Sequence, residues 1–129
     1  MLAARSSIEA TENAIKQAAK DAGQPVPEVL GVKMEVTNFK SVSNAAAEVE
    51  RKFGRLDVII NNAGVIDMTT IIESDPETWW KVWEVNVKGP YLVAKAFLPL
   101  VVKTQDSLKQ VITVARYAYQ YRVTLIANH

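Results

Sequence analysis

Cysteine is absent from the 129 residues, and histidine occurs once, as the last residue, His129. Disulfides, thiolate metal sites and a cysteine nucleophile are therefore excluded. Multi-histidine metal sites are excluded as well, no metal ligand set is expected, and a Ser-His-Asp hydrolase would have to draw its base from the chain end. Charge of one sign is also lacking. The net charge is +1, so no basic field points to nucleic acid or to an acidic membrane surface. Long apolar runs are missing. Leu92 to Val102 is broken by Lys95 and Pro99 and falls short of the ~18 apolar residues of a spanning helix. Met1 to Thr11 holds Arg5 and Glu9 and no apolar core of a secretory signal. The expectation is a cytoplasmic protein with no nucleic-acid and no membrane partner. Glycine is scarce, at five residues, and no glycine cluster precedes Asn61. What is present is globular in composition, 49% apolar and 22% charged, and long enough for one modest domain.

Leu2-Ala3-Ala4 reads as the end of a strand. Ser6-Ser7-Ile8-Glu9 fits a capping box with Ser6 as N-cap. Ile8, Thr11, Ile15, Ala18, Ala19 and Ala22 follow at helical spacing until Gly23 stops the helix. Val29 to Val36 is a β-rich run. A second helix starts at Ser41 or Ser43, buries Val42, Ala46, Val49 and Phe53, and ends at Gly54. Asp57-Val58-Ile59-Ile60-Asn61-Asn62-Ala63-Gly64 has an apolar core that does not alternate, as in a strand buried on both faces of a parallel sheet. Ser74 and Glu77 form another capping box, with Pro76 in the first turn, and a long helix runs from about Asp75 to Val102. Val111 to Ala115 is a further buried-type strand. The order β-α-β-α-β-α-β predicts an α/β fold, a doubly wound, Rossmann-like parallel sheet with flanking helices.

Two features point to a site. Asn61-Asn62-Ala63-Gly64 directly follows a buried strand, and ligands of open α/β sheets bind at the carboxyl ends of strands. Small Ala63 and Gly64 let a flat ligand approach the backbone. A polar strand-end turn would look the same. The second feature is Asn86-Val87-Lys88-Gly89-Pro90 within the long helix. Pro90 has no N–H and clashes with the carbonyl four residues back, that of Asn86. The helix should bend or bulge there and free that carbonyl for a water or ligand. An ordinary proline kink is the alternative.

Together these motifs resemble the short-chain dehydrogenase/reductase family. Phe53-Gly54-Arg55-Leu56-Asp57 and Asp75-Pro76-Glu77-Thr78-Trp79 are similar to it too. The resemblance implies a hydride transfer between nicotinamide and a small-molecule carbonyl or alcohol. It puts Asn62, Ala63 and Gly64 beside the adenine-side ribose of NAD(P). It makes Asn86 the family's catalytic asparagine, whose backbone carbonyl holds a water of the proton relay. Glu35-Val36 matches the acidic-aliphatic pair that packs on adenine, with Glu35 where Asp is usual. Ala4-Arg5 matches the end of the second strand. A carboxylate there would favour NAD, whereas Arg5 can pair a 2′-phosphate bidentately, so the resemblance favours NADP over NAD. A solvated arginine is the alternative. The similarity runs from Leu2 to Ala115, giving residues 1–115 as a partial NAD(P)-binding domain and 116–129 as a divergent C-terminal tail.

Three departures stand against the matches. The family's first, central strand and the glycine-rich turn that brings backbone N–H groups to the pyrophosphate are missing. Arg116 stands where the catalytic serine should follow the strand, with Thr113 inside it. No Tyr-x-x-x-Lys pair exists: four places after Tyr117, Tyr119 and Tyr121 come Tyr121, Val123 and Leu125. In this chemistry the tyrosine passes the proton, and the lysine ammonium lowers its pKa. The tail alternates Tyr117, Tyr119, Tyr121, Val123 and Leu125 with polar or small residues, the period of a strand.

The long helix carries a narrow polar stripe of Lys81, Glu84, Lys88 and Lys95. Trp79, Trp80, Val82, Trp83, Val85, Tyr91, Leu92, Phe97 and Leu98 fill much of the rest. So wide an apolar arc is buried on more than one side, and in the family the matching helix also pairs with a second subunit. The leading expectation is a catalytically incompetent fragment of an NAD(P)-dependent oxidoreductase, entered after its first strand and left before its tyrosine and lysine. The alternatives are a non-catalytic module that makes homo- or hetero-oligomers through the helix at 75–102, or a truncated gene product without a function of its own.

Overall fold

The computed structural model describes residues 1–5, 8–116 and 122–125. It divides into two compact units, Met1–Glu35 and Val36–His129. The first unit is a β-α-β crossover. β1 (Leu2–Ala4) and β2 (Gly31–Lys33) pair in parallel, Leu2 opposite Gly31 and Ala4 opposite Lys33. Between them runs α1 (Glu9–Asp21). Ser6 lies outside the described residues, and Ile8, in the capping position, offers no side-chain bond. The far end is as the sequence predicts. Gly23 takes φ +64°, its N–H donates to the Lys20 carbonyl at 3.0 Å, and the Gln24 N–H donates to the Ala19 carbonyl at 2.9 Å. That pair of bonds is a Schellman closure, which needs a left-handed residue that glycine supplies without a Cβ clash.

The second unit holds α2 (Phe39–Phe53), β3 (Val58–Asn61), α3 (Pro76–Trp83), α4 (Gly89–Lys103), β4 (Gln110–Arg116) and β5 (Arg122–Leu125). Two helix starts differ from the sequence reading. α2 is capped by Asn38, not by Ser41 or Ser43: the Asn38 side chain accepts the Ser41 N–H at 3.0 Å. α3 is capped by Asp75 rather than Ser74, through the Thr78 N–H at 2.7 Å. The Ser74 hydroxyl turns back to the Ile71 carbonyl instead. Adjacent cap-forming residues compete, and the one with extended backbone at the helix edge wins. Asn38 and Asp75 both have it, at ψ 109° and 128°. Gly54, at φ +66°, closes α2.

The core of this unit lies between α2, α4 and the sheet. Val42, Ala45 and Val49 of α2 are buried, so the stripe passes through Ala45 and leaves Ala46 and Phe53 half-buried. They pack with Leu92, Val93, Phe97, Leu100 and Val101 of α4. Phe97, 1% exposed, alone contributes about 2–3 kcal/mol by burial. Lys103 bonds Glu50 at 2.9 Å, and Lys95 lies 5.1 Å from the Phe39 ring centre, so both ends of the α2–α4 pair are also tied by charge. Thr104, buried at the end of α4, donates to the Leu100 carbonyl at 2.8 Å and accepts the Leu56 N–H at 3.0 Å. That bond fixes the chain as it enters β3.

β3 and β4 are parallel, Val58 opposite Gln110 and Asn61 opposite Thr113. β5, part of the predicted tail strand, adds antiparallel to β4. Tyr117, Tyr119, Tyr121 and His129 lie outside the described residues. The strands thus form two sheets, β1-β2 and β3-β4-β5, and the parallel α/β pattern read from the sequence holds within each, with an antiparallel edge on the second. The composite helix Pro76–Lys103 has 28 residues, and an 18-residue stretch of it reaches a mean hydropathy of 1.3, apolar and long enough on paper to cross a bilayer. The sequence reading counted only Leu92 to Val102. In the fold this helix carries the core residues named above, and its Lys81, Glu84, Lys88 and Lys95 would have to be desolvated in lipid.

Candidate functional site

The bulge expected from Pro90 is present. Glu84–Lys88 is a π-helical segment between α3 and α4, and the Gly89 N–H reaches five residues back, to the Glu84 carbonyl. Such single-turn π segments recur at functional sites. With proline at position 90, the Asn86 carbonyl has no amide four residues on to accept from. Glu84 holds the polar side of the segment, 3.7 Å from the Lys81 ammonium and 3.2 Å from that of Lys88.

The Asn86 side chain does something the sequence did not announce. Its Oδ1 accepts the Val65 N–H at 3.0 Å, and its Nδ2 donates to the Val65 carbonyl at 2.8 Å. One amide thus closes on both backbone groups of one residue and pins the turn after β3 to the helix bulge. Gly64 sits against this clamp: a Cβ there would stand 3.3 Å from Asn86 Oδ1. Gly89, buried, comes just as near Val36, where a Cβ would lie 3.2 Å from Cγ2. The structure therefore brings together Asn62-Ala63-Gly64, exposed at the carboxyl end of β3, with Asn86, and Val36 with the helix bulge. A clue did exist, since an asparagine side chain has the one donor and one acceptor face that match a free peptide unit. No local spacing could name Val65, 21 positions away.

In the first unit, Arg5 and Glu35 follow β1 and β2 at their carboxyl ends, with Arg5 Nε 3.9 Å from a Glu35 oxygen. Thr113 faces Asn61 across the β3–β4 register, its hydroxyl 3.5 Å from Asn61 Nδ2, and Arg116 ends β4.

Electrostatics around the turn is local. The Arg55 guanidinium, bonded to Asp57 from Nε at 3.1 Å, holds that carboxyl below the usual carboxylate range and is itself raised by the same contact. Asp67 is lowered by the Thr69 backbone N–H, at 3.0 Å, and then by the Thr69 hydroxyl, at 2.8 Å. These bonds shape the loop between the clamp and α3.

A family model of the short chain dehydrogenases matches residues 3–127. The short chain dehydrogenase mpl6 of Monascus purpureus is 52% identical over 103 residues, covering 79% of this chain and 35% of that protein. The alcohol dehydrogenase from the archaeon Thermococcus sibiricus, complexed with 5-hydroxy-NADP, superposes with a TM-score of 0.68 at 29% identity, over 80% of this chain and 42% of that one. The NADPH-bound carbonyl reductase from chicken fatty liver gives 0.60 at 29% identity, over 76% and 38%. The chain spans about a third of the length of such a curated relative.

Proposed function

Because the chain belongs to the short chain dehydrogenase family, we propose that its residues carry the adenosine-binding edge and the helix bulge of an NAD(P)-dependent oxidoreductase site. The reaction of such a site passes a hydride between nicotinamide and a small carbonyl or alcohol. The observation that carries the reading is the Asn86 clamp on Val65, which rigidly presents the Asn62-Ala63-Gly64 turn at a strand's carboxyl end. The glycine there is where a side chain would crowd the clamp, so the turn fits a flat ligand laid against backbone.

When bound, the nicotinamide cofactor would supply the hydride donor or acceptor. Asn62, Ala63 and Gly64 would lie against its adenosine ribose, Glu35 and Val36 against adenine, and Arg5 would pair a ribose 2′-phosphate through its fork of N–H donors, which favours NADP. Both structures named above contain NADP-type ligands, in keeping with this. The Asn86 carbonyl, left without its helical amide by Pro90, would hold a water at the bulge. The 129 residues include no Tyr-x-x-x-Lys pair, no glycine-rich turn, and Arg116 rather than serine after β4. A positioned acid/base is worth ~10²–10⁴-fold in rate. These residues alone are therefore catalytically silent. Mixing the chain with NADPH and a panel of aldehydes and ketones should give no enzyme-dependent loss of the NADPH absorbance. Robust turnover would overturn this.

A second reading rests on the outer face of the composite helix. Trp79, Trp80, Trp83, Val87, Tyr91, Leu98 and Val102 are exposed, although so wide an apolar arc was expected to be buried on more than one side. Large exposed apolar patches mark contact surfaces. The helix would then pair with a second copy or a full-length relative in the cytosol. Size-exclusion chromatography with light scattering should show the dimer or complex, and a lone monomer at high concentration would count against it.

A further inference from the structure

β1 ends at Ala4 and β2 at Lys33, directly opposite in a parallel ladder. The Met34 N–H then donates to the Ala4 carbonyl at 2.9 Å. The chain therefore leaves the two strands side by side, at the edge where open α/β sheets bind ligands. The first charged residue beyond each strand meets the other. Arg5 Nε is 3.9 Å from Glu35 Oε2, with the two side chains 69% and 38% exposed. A contact this long and this exposed is a weak one. It holds a guanidinium that a stronger anion can take.

We propose that Glu35 is a selectivity-setting residue, which opposes the binding of ribose 2′-phosphates by engaging Arg5. The proposal rests on the reading of Arg5 as the 2′-phosphate ligand. An incoming 2′-phosphate has to displace the carboxylate from the guanidinium and then sit next to its charge. A 2′-hydroxyl has to do neither. Glu35 thus counteracts the preference that Arg5 creates and keeps the edge open to both classes of dinucleotide.

The test uses the 129-residue chain, titrated by NMR with 2′,5′-ADP and with 5′-AMP, which differ only in the 2′-phosphate. Glu35→Gln should raise the ratio of 2′,5′-ADP to 5′-AMP affinity by about three- to tenfold, from the lost competition and repulsion of one exposed charge; a change in adenine packing at residue 35 enters both ligands and cancels in the ratio. The gain should shrink in high salt, as exposed charges are screened. In an Arg5→Ala background, Glu35→Gln should raise that ratio by clearly less, because only the repulsion remains to be relieved and no guanidinium is left to be released. An unchanged or lower ratio in Glu35→Gln would overturn the proposal, as would an equal gain in the ratio without Arg5. If Arg5→Ala alone leaves 2′,5′-ADP binding intact, or if no variant binds it, the reading of Arg5 itself is wrong and the role of Glu35 goes with it. Circular dichroism of each variant reports whether the fold is kept.

Discussion

Replacing Asn86 by alanine removes both bonds of the clamp at once. The Val65 N–H and carbonyl lose partners at 3.0 and 2.8 Å. Each such neutral bond is worth about 0.5–1.5 kcal/mol net. Asn86 is exposed, so water can take over in part, which puts the sum in the lower half of the range, about 1–2 kcal/mol. Alanine is the better helix former, which returns roughly 0.5 kcal/mol. The net loss should be about 0.5–1.5 kcal/mol, or a fall of roughly 0.3–1 M in the urea midpoint at an unchanged slope for a chain of this size. The more specific readout is hydrogen exchange. The Val65 amide should lose its protection while amides in the α2–α4 core keep theirs. Asn86→Asp keeps an acceptor for the Val65 N–H and loses the donor to its carbonyl, so it should preserve amide protection yet lower the midpoint. A Val65 amide that exchanges at the same rate in Asn86→Ala would refute the clamp as the element that fixes the turn.

Thr104→Val should cost about 1–3 kcal/mol, because it leaves the Leu56 N–H unpaired beside a buried site; Thr104→Ser should recover most of it, and equal midpoints for the two would count against the bond. Lys109 is held at φ +47°, a left-handed conformation that costs a residue with a Cβ about 1–2 kcal/mol. After the extra chain entropy of glycine, Lys109→Gly should raise stability by roughly 0.5–1 kcal/mol, measured as a higher melting temperature. Asp57 and Asp67 have folded pKa values below their unfolded ones. Their contribution is thus complete above the ordinary carboxylate pKa and is lost as pH falls through the lowered values. Stability should drop on acidification below about pH 4, and Asp57→Asn with Asp67→Asn should flatten that drop; an unaltered acid limb would be the contrary result.

Helix ends that depend on backbone sign were legible in the sequence. Gly23 and Gly54 both sit at positive φ where glycine was expected to stop α1 and α2. The bulge before Pro90 was legible for a covalent reason, the missing N–H, although the π segment begins two residues ahead of Asn86. The cap residues were not, because Asn38 competes with Ser41 and Ser43, and Asp75 with Ser74, and only the backbone angles choose between them. Ala45 replaces Ala46 in the buried stripe because helix rotation is set by what α2 packs on, which periodicity does not contain. The two site interactions the sequence could not supply are tertiary: Asn86 on Val65, and Arg5 on Glu35. Asn86, Arg5 and Glu35 were singled out without a way to know their partners, and Val65 was not singled out at all. The antiparallel pairing of β5 is likewise a fact of register, since alternation in the tail gave a strand but no direction.

A backbone amide NMR titration of the chain with NADPH tests the central claim most directly. The account predicts saturable shifts at Arg5, Glu35, Val36 and Asn62 to Gly64, with no oxidation of the NADPH when an aldehyde is added. Shifts confined to other residues, or none at millimolar NADPH, would contradict the assignment of the adenosine-binding edge.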